Sequence, residues 1–127
     1  MKRYCACDME GDVLEIPETV RKELEKRGGV EGLTASLPAE ETIDSMVESL
    51  HTLSDPNRLR ILALLEAQPA CPCILTRAVG VTDSQLSYHL SVLQHSGLIQ
   101  GKHRGRWIIY ELTEKGRETL ETVRRLP

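Results

Sequence analysis

Four cysteines in two close pairs are the residues of this chain whose type and spacing could carry chemistry. Cys5 and Cys7 lie near the start with one residue between them, and Cys71 and Cys73 repeat this spacing in mid-chain. The chain of 127 residues has no other cysteine. Thiolates are the ligands that soft metal ions prefer, and the thiolate is also the reactive form of the side chain. The two pairs therefore predict a response to a metal or to a change in redox state.

Composition and hydropathy predict one ordinary soluble domain. Hydrophobic residues make up 40% of the chain and charged residues 28%, and a chain of this length can bury a real core. No apolar run approaches the roughly 20 residues that span a bilayer, and no apolar stretch of a secretory signal follows Lys2 and Arg3. We therefore expect a cytoplasmic protein with no membrane partner, in which thiols stay reduced and more often bind metal or react than form structural disulfides.

The net charge of −3 conceals an uneven distribution along the chain. Residues 1–49 hold 6 Lys and Arg against 12 Asp and Glu, whereas residues 50–127 hold 10 against 7. The segment 84–110 contains no acidic residue. Its clustered basic residues are Lys102, Arg104 and Arg106. A local basic stretch of this kind favours contact with a phosphate backbone, whatever the total charge.

The elements that position these residues are predicted to be helices and one hairpin. Apolar spacing and capping residues predict helices over 17–27, 41–53, 56–67, 73–79, 83–96 and 114–125. Two strands, 98–100 and 107–112, flank a loop over 101–105. Two helices joined by a short turn at Gly80 and followed by a basic hairpin form a winged helix-turn-helix. The predicted fold is therefore mainly α with a β-hairpin.

The helix after Gly80 is predicted to contact base edges, and the hairpin to contact phosphates or the minor groove. The residues assigned to the helix contact are Ser84, Gln85, Ser87, Tyr88 and His89. Those assigned to the hairpin contact are Lys102, His103, Arg104 and Arg106. Trp107 is assigned to packing within its strand rather than to base stacking. The alternative is a solvated helix beside an exposed loop, without a nucleic-acid partner.

Several segments resemble the ArsR/SmtB family of metal-sensing repressors, and most closely its cadmium- and lead-sensing branch. The segments are 53–62 (LSDPNRLRIL), 84–93 (SQLSYHLSVL), 97–99 (GLI) and 104–112 (RGRWIIYEL), and the likeness covers about residues 42–123. It implies a homodimeric winged-helix repressor that binds an inverted-repeat operator in double-stranded DNA and leaves it on binding an inducer. The helix over 43–53 and the last helix are then expected to form the dimer interface.

The resemblance also implies a role for the cysteines. Cys71 and Cys73 fall where the family carries a Cys-x-Cys motif, at the start of its third helix. Residues two apart on a helix do not face each other, so the two sulfurs converge only if Cys71 lies outside the helix and Cys73 just inside it. Pro72 at the first helical position favours that arrangement. In the related branch an N-terminal arm supplies further thiolates, which here would be Cys5 and Cys7, for a tetrahedral four-sulfur site.

The expected effector is a soft metal ion, Cd, Pb, Zn or As(III), because thiolates favour all of these. Two other interpretations stay open: a permanent structural zinc site, and a thiol redox switch on the same scaffold. The expected organisation is an N-terminal arm over 1–40 and a DNA-binding and dimerisation domain over 41–127; the role of 13–40 is open. We expect no enzyme, because no histidine is paired with a nucleophile by the sequence and no phosphate-binding loop is present.

Overall fold

The computed structural model describes residues 16–127, and the chain divides into two compact units between Ile43 and Asp44. The elements are α1 (Glu18–Lys26), α2 (Gly29–Thr34), α3 (Glu40–Leu53), α4 (Pro56–Ala67), α5 (Pro72–Val79), α6 (Asp83–His95), β1 (Ile99–Arg104), β2 (Trp107–Leu112) and α7 (Glu114–Arg124). Among these described residues, no helix has the length and apolar character needed to cross a membrane. The predicted mainly α fold with one hairpin is confirmed.

The first unit contains α1 and α2, and no residue of either helix is buried. α1 ends where Gly28 takes a left-handed conformation, as the paired glycines predict. The short helix α2 was not predicted, because its glycine-rich sequence carries no apolar periodicity. Val20 and Leu33 stay largely exposed, so this unit has little core of its own.

The second unit is built around α4, which contacts α5, α6, α7 and β2. Its core is formed by apolar side chains from every element after α3, from the segment between α4 and α5, and from the segment between α6 and β1. They are Ile61, Leu62, Leu65, Ala70, Leu75, Leu86, Leu90, Leu93, Leu98, Ile99, Leu112 and Leu120. α3 contributes Leu53 at the edge of this core.

Capping residues begin the two central helices where the sequence predicts. The Asp55 carboxylate accepts hydrogen bonds from the backbone N–H groups of Asn57 (2.8 Å) and Arg58 (3.1 Å) at the start of α4. Thr82 and Gln85 form a reciprocal capping box at the start of α6. These bonds satisfy N–H groups that a helix start leaves without partners. Local sequence therefore determines where α4 and α6 begin.

The hairpin differs from its prediction. β1 does not stop at residue 100 but continues to Arg104, and the register runs from Ile99 opposite Leu112 to Arg104 opposite Trp107. Only Gly105 and Arg106 form the turn, with Gly105 at a φ of +64°, which a side chain would disfavour. The polar second half of β1 has the composition of a loop, and the apolar strand β2 holds it in the sheet.

A buried glycine lets the last helix pack closely against the start of the hairpin. An ideal Cβ on Gly116 would lie 2.1 Å from the carbonyl oxygen of Leu98, so no side chain fits there. The Thr113 hydroxyl reinforces the contact, since it donates to the carbonyl oxygen of Gly97 (2.7 Å) and accepts from the N–H of Gly116 (3.0 Å). α7 is therefore fixed closely to the segment that leads into β1.

Candidate functional site

The mid-chain thiol pair lies where an extended segment turns into α5. Ala70 exchanges two backbone hydrogen bonds with Tyr110 of β2, at 3.0 and 2.9 Å. Cys71 follows in an extended conformation as the N-cap, and Pro72 is the first residue of α5. The Sγ atoms of Cys71 and Cys73 are 3.0 Å apart. The sulfurs thus converge in the way that the spacing and the intervening proline predict.

The two thiols differ in acidity because they face each other. The pKa of Cys71 is lowered, first by the hydrogen bond with the Cys73 thiol and next by the backbone N–H of Ile74 at the helix start. The pKa of Cys73 is raised, first by the same hydrogen bond, then by burial and by the charge on Cys71. Of the two thiols, Cys71 is therefore the one that loses its proton first, and Cys73 is the one that keeps its S–H to higher pH.

This geometry suits a soft metal ion as a partial site. Zn–S bonds of about 2.3 Å in a tetrahedral site hold neighbouring sulfurs roughly 3.8 Å apart, so the pair would have to open by less than about 1 Å. Cys73 is exposed and Cys71 half-buried, which leaves the sulfurs accessible. Within residues 16–127, no third His, Cys, Asp or Glu completes a cluster. Cys5 and Cys7, the other predicted ligands, lie outside the described residues.

The outward face of α6 presents small hydroxyl groups and one large aromatic side chain. Ser84, Ser87 and Tyr88 are exposed, as predicted. Ser91, which the sequence analysis missed, lies on the same face, seven residues after Ser84. Gln85 is exposed, and its Oε1 accepts the N–H of Thr82 in the capping box (3.0 Å). A bidentate contact with adenine would have to use the second lone pair of this oxygen together with the amide N–H groups.

The assignment of His89 to that outward face is wrong. Its side chain is only 8% exposed, and its Nδ1 lies 3.2 Å from Nη1 of Arg58 on α4. A guanidinium can only donate, so Nδ1 accepts and the ring proton belongs to Nε2. His89 is three residues from Leu86 and four from Leu93, so it turns inward with the apolar stripe of α6. Its role is to hold the helix rather than to contact a base.

Arg58 is buried and connects three helices. The side chain is 6% exposed. Its Nε donates to the carbonyl oxygen of Thr52 (2.6 Å) and its Nη2 to that of His51 (3.4 Å), both at the end of α3. Nη1 binds His89 of α6. Throughout the described residues, every buried side-chain nitrogen and oxygen has a hydrogen-bond partner. The sequence does not indicate this network, because an arginine in a helix is usually exposed.

Strand pairing separates the basic hairpin residues between two faces. Lys102 and Arg104 share one face with Glu111, and the Lys102 ammonium lies 2.7 Å from the Glu111 carboxylate. This contact lowers the pKa of Glu111. His103 alternates to the other face, and Arg106 lies in the turn. The predicted cluster is therefore divided, with Lys102 paired to an acid.

Trp107 is not packed within its strand as expected. It pairs with Arg104 across the hairpin, and 55% of its side chain is exposed. The apolar packing of the hairpin comes instead from the opposite face, where Tyr110 and Ile108 cover Gly101. The strand register places the indole on the same face as two basic side chains. This register follows from the sequence only if β1 extends to Arg104, and the predicted strand ended at residue 100.

Comparison with known proteins gives a consistent result. Residues 55–100 match the family described as bacterial regulatory protein, arsR family. The chain is 38% identical over 86 residues to the HTH-type transcriptional regulator NmtR of Mycobacterium tuberculosis, covering 66% of this chain and 72% of that protein. It is 36% identical over 69 residues to the arsenical resistance operon repressor of Bacillus subtilis, covering 54% of this chain and 66% of that protein. The chain spans from about half to three quarters of the length of the curated relatives it matches.

A solved structure supports the architecture. The homodimeric winged helix-turn-helix DNA-binding domain Mb0332 from Mycobacterium bovis superposes with a TM-score of 0.62. The sequence identity is 20%, and the match covers 72% of this chain and 88% of that one. The fold of the second unit is therefore the winged helix-turn-helix, in which α5 and α6 are the two helices of the motif and β1–β2 is the wing.

The thiol pair predicts an order of chemical reactivity. Because the pKa of Cys71 lies below its ordinary value, Cys71 keeps more thiolate than Cys73 as the pH falls. We expect iodoacetamide at neutral pH to alkylate Cys71 first, and Cys73→Ala to move the midpoint of the Cys71 rate–pH profile upward. Both sulfurs lie on the tryptic peptide 61–77, where fragment spectra locate the label. Equal labelling rates for the two thiols would contradict the assignment.

The buried arginine predicts a loss of stability. Arg58→Met leaves the Thr52 carbonyl and His89 Nδ1 without their donor, and should lower the free energy of unfolding by about 2–3 kcal/mol. Arg60→Met is the matched control: Arg60 is exposed and binds only Asn57, so its loss should cost less than about 0.5 kcal/mol. Urea denaturation measures both. Similar losses for the two variants would show that the Arg58 network does not stabilise the unit.

Proposed function

We propose that this chain, which belongs to the ArsR family of bacterial regulatory proteins, is a metal-responsive transcriptional repressor that binds operator DNA as a homodimer. The observation that carries the proposal is the thiol pair at the start of α5, with sulfurs 3.0 Å apart, in the helix that precedes the DNA-contacting helix. One relative is an arsenical resistance operon repressor, which supports a thiol-binding effector.

The DNA contact is proposed for α6 and the wing. Ser84, Ser87 and Tyr88 would enter the major groove, since the second helix of this motif lies there and presents its N-terminal residues to base edges. Arg104 and Arg106 would bind phosphates beside that groove. Lys102 already has Glu111 as a partner, so its contribution should be smaller. His103, on the other face of the hairpin, would contact DNA only near the tip.

A second copy of the chain is proposed to pack on α3. Met46, Val47 and Leu50 form an apolar stripe within the second unit, and each side chain is more than half exposed. Such a stripe at helical spacing is typical of a helix that packs against another helix. A two-fold pair of these units would present two copies of α6 to an inverted repeat. The fold neighbour Mb0332 is described as homodimeric, which supports this arrangement.

Cys71 and Cys73 would hold the metal, with Cys5 and Cys7 completing four thiolates. The ion would supply a positive centre that draws the sulfurs into a fixed geometry. The low pKa of the Cys71 thiol favours its binding form. Because Pro72 restricts the backbone between the sulfurs, opening the pair shifts the start of α5 rather than a free side chain.

Two connections lead from the thiol pair to the DNA-contacting elements. α5 packs directly against α6, and Gly80 ends α5 in a left-handed conformation just before it. Ala70, next to Cys71, is hydrogen-bonded on both sides to Tyr110 in the wing. A shift at the sulfurs would therefore reach both contacts. Allosteric couplings are typically about 1–3 kcal/mol, which would weaken operator binding roughly 5–150-fold.

A thiol redox switch is the second candidate, and the 3.0 Å approach of Cys71 and Cys73 supports it as well. Oxidation would join the sulfurs in a disulfide, with two electrons passing to an oxidant such as a peroxide. A permanent structural zinc ion would be bound by the same cysteines, and its binding would not release the protein from DNA. The three functions differ in what removes the protein from its operator.

Metal titration distinguishes these functions. The reduced protein is bound to a labelled duplex selected from a random library, and Cd(II), Pb(II), Zn(II), arsenite or hydrogen peroxide is added. We expect thiolate-to-metal absorption and a fall in DNA affinity within the 5–150-fold range. Cys71→Ser should abolish both, and Cys5→Ser should reduce the number of thiolates bound per ion.

The outcomes that reject the proposal are direct. Release by peroxide in the absence of metal, with no release by any metal, would favour the redox switch. Metal absorption without any change in DNA affinity would favour a structural site. A Cys71→Ser variant that responds normally would remove α5 from the sensor.

The wing contact predicts a change in salt dependence. Arg104→Gln should remove one phosphate contact, so it weakens binding to all sequences and reduces the slope of log K against log salt by about 0.9. Lys102→Gln should change the slope less, because Lys102 pairs with Glu111. Arg60→Gln, an exposed change on α4, is the control. Fluorescence anisotropy at several salt concentrations measures the slopes, and an unchanged slope for Arg104→Gln would remove the wing from the interface.

A further inference from the structure

Trp107 is the only tryptophan in the chain, and the fold leaves it outside the core. More than half of its side chain is exposed at the first residue of β2. One exposed apolar residue is ordinary on a protein surface, so exposure alone carries no conclusion. The surroundings of Trp107 are more informative, because the contacts within the hairpin establish which side chains share its face.

One face of the hairpin is open and the other is packed. Glu111 accepts from Gln100 (2.8 Å) and pairs with Lys102, so these three side chains share the open face. Arg104 lies two residues after Lys102 and directly opposite Trp107, which places both on that face. We call Lys102, Arg104, Trp107 and the adjacent turn residue Arg106 the open wing face.

The charge on the open wing face indicates the kind of partner. Within residues 16–127, the only acid beside this face is Glu111, which Lys102 already engages at 2.7 Å. Arg104, opposite the indole across the hairpin, and Arg106, immediately before it in sequence, form no ion pair with any described residue and keep their positive charge. An apolar protein surface would have to desolvate these guanidinium groups without pairing them, whereas a polyanion pairs them. In a nucleic-acid backbone an apolar deoxyribose lies between two successive phosphates, which suits an apolar indole with one arginine opposite it and another next to it in sequence.

We propose that Trp107 contacts DNA, with its indole packed against a deoxyribose of the strand whose flanking phosphates Arg104 and Arg106 bind. This inference rests on the proposed DNA binding and adds an apolar contact to a wing otherwise described by charge. Because the indole carries no charge, its contribution to affinity is independent of salt, unlike that of the arginines. The contact also fixes how deeply the wing approaches the minor groove.

The single tryptophan makes the contact directly observable. Indole emission is excited at the red edge of its band, where tyrosine does not absorb, while the selected duplex is titrated into the protein. Anisotropy of the labelled duplex reports binding independently. We expect a shift of the emission and protection from acrylamide quenching that saturate together with the anisotropy. Before DNA is added, the indole emission and its quenching by acrylamide should not change with protein concentration.

Variants test the energetic role. Trp107→Ala should weaken DNA binding about tenfold, within the range for aromatic contacts to nucleic acid. It should leave the salt slope unchanged, in contrast to Arg104→Gln. Trp107→Phe keeps a flat apolar ring and should lose less than about threefold. Ile108→Ala, which removes an exposed apolar side chain from the packed face of the same strand, is the matched control and should bind like the wild type.

Each contrary result has a distinct meaning. A duplex that binds by anisotropy while the emission and quenching of Trp107 stay constant would overturn the contact and leave the proposed function intact. Equal losses for Trp107→Ala and Ile108→Ala would overturn it as well, since the effect would then be general to the hairpin. Emission that changes with protein concentration alone would assign Trp107 to a protein interface. A wild-type chain that binds no duplex would overturn the proposed function itself.

Discussion

The guanidinium of Arg58 lies buried among three helices and binds only uncharged partners. A buried cation is costly unless its N–H groups find acceptors, and here the acceptors are two carbonyls at the end of α3 and the ring of His89 on α6. The end of a helix is where such carbonyls are free, because they have no partner within the helix. A side chain of α4 therefore links α3, which carries the apolar stripe proposed for dimerisation, to α6, which is proposed to contact DNA.

The thiol pair depends on a comparable constraint. Cys71 lies between Ala70, which is hydrogen-bonded to the wing strand, and Pro72, which begins α5 with a fixed φ. Both neighbours are held, so a displacement of the Cys71 backbone would reach β2 on one side and α5 on the other. The same rigidity that brings the two thiols together makes them suited to transmit an event. A cysteine pair on a flexible loop could bind a metal equally well without altering the distant DNA contacts.

The alternation of side chains along its strands gives the hairpin two different faces. One face carries Tyr110, which packs against the core, and Ile108, and both lie over Gly101. The other face carries basic side chains and an exposed indole. Because neighbouring residues in a strand point to opposite sides, basic residues that are adjacent in sequence do not form a single cluster in space. The charge that remains available is that of Arg104 and Arg106, with Lys102 held by Glu111.

Much of the fold could be predicted from the sequence, because helix caps, left-handed glycines and apolar spacing act over a few residues. Asp55, Thr82 and Gly80 begin or end their helices through contacts within one turn, and Pro72 with the Cys-x-Cys spacing determines where the sulfurs can meet. The inward turn of His89, the burial of Arg58 and the exposure of Trp107 were decided only by the tertiary structure. Each depends on a partner from another element, and no local pattern specifies which element that will be.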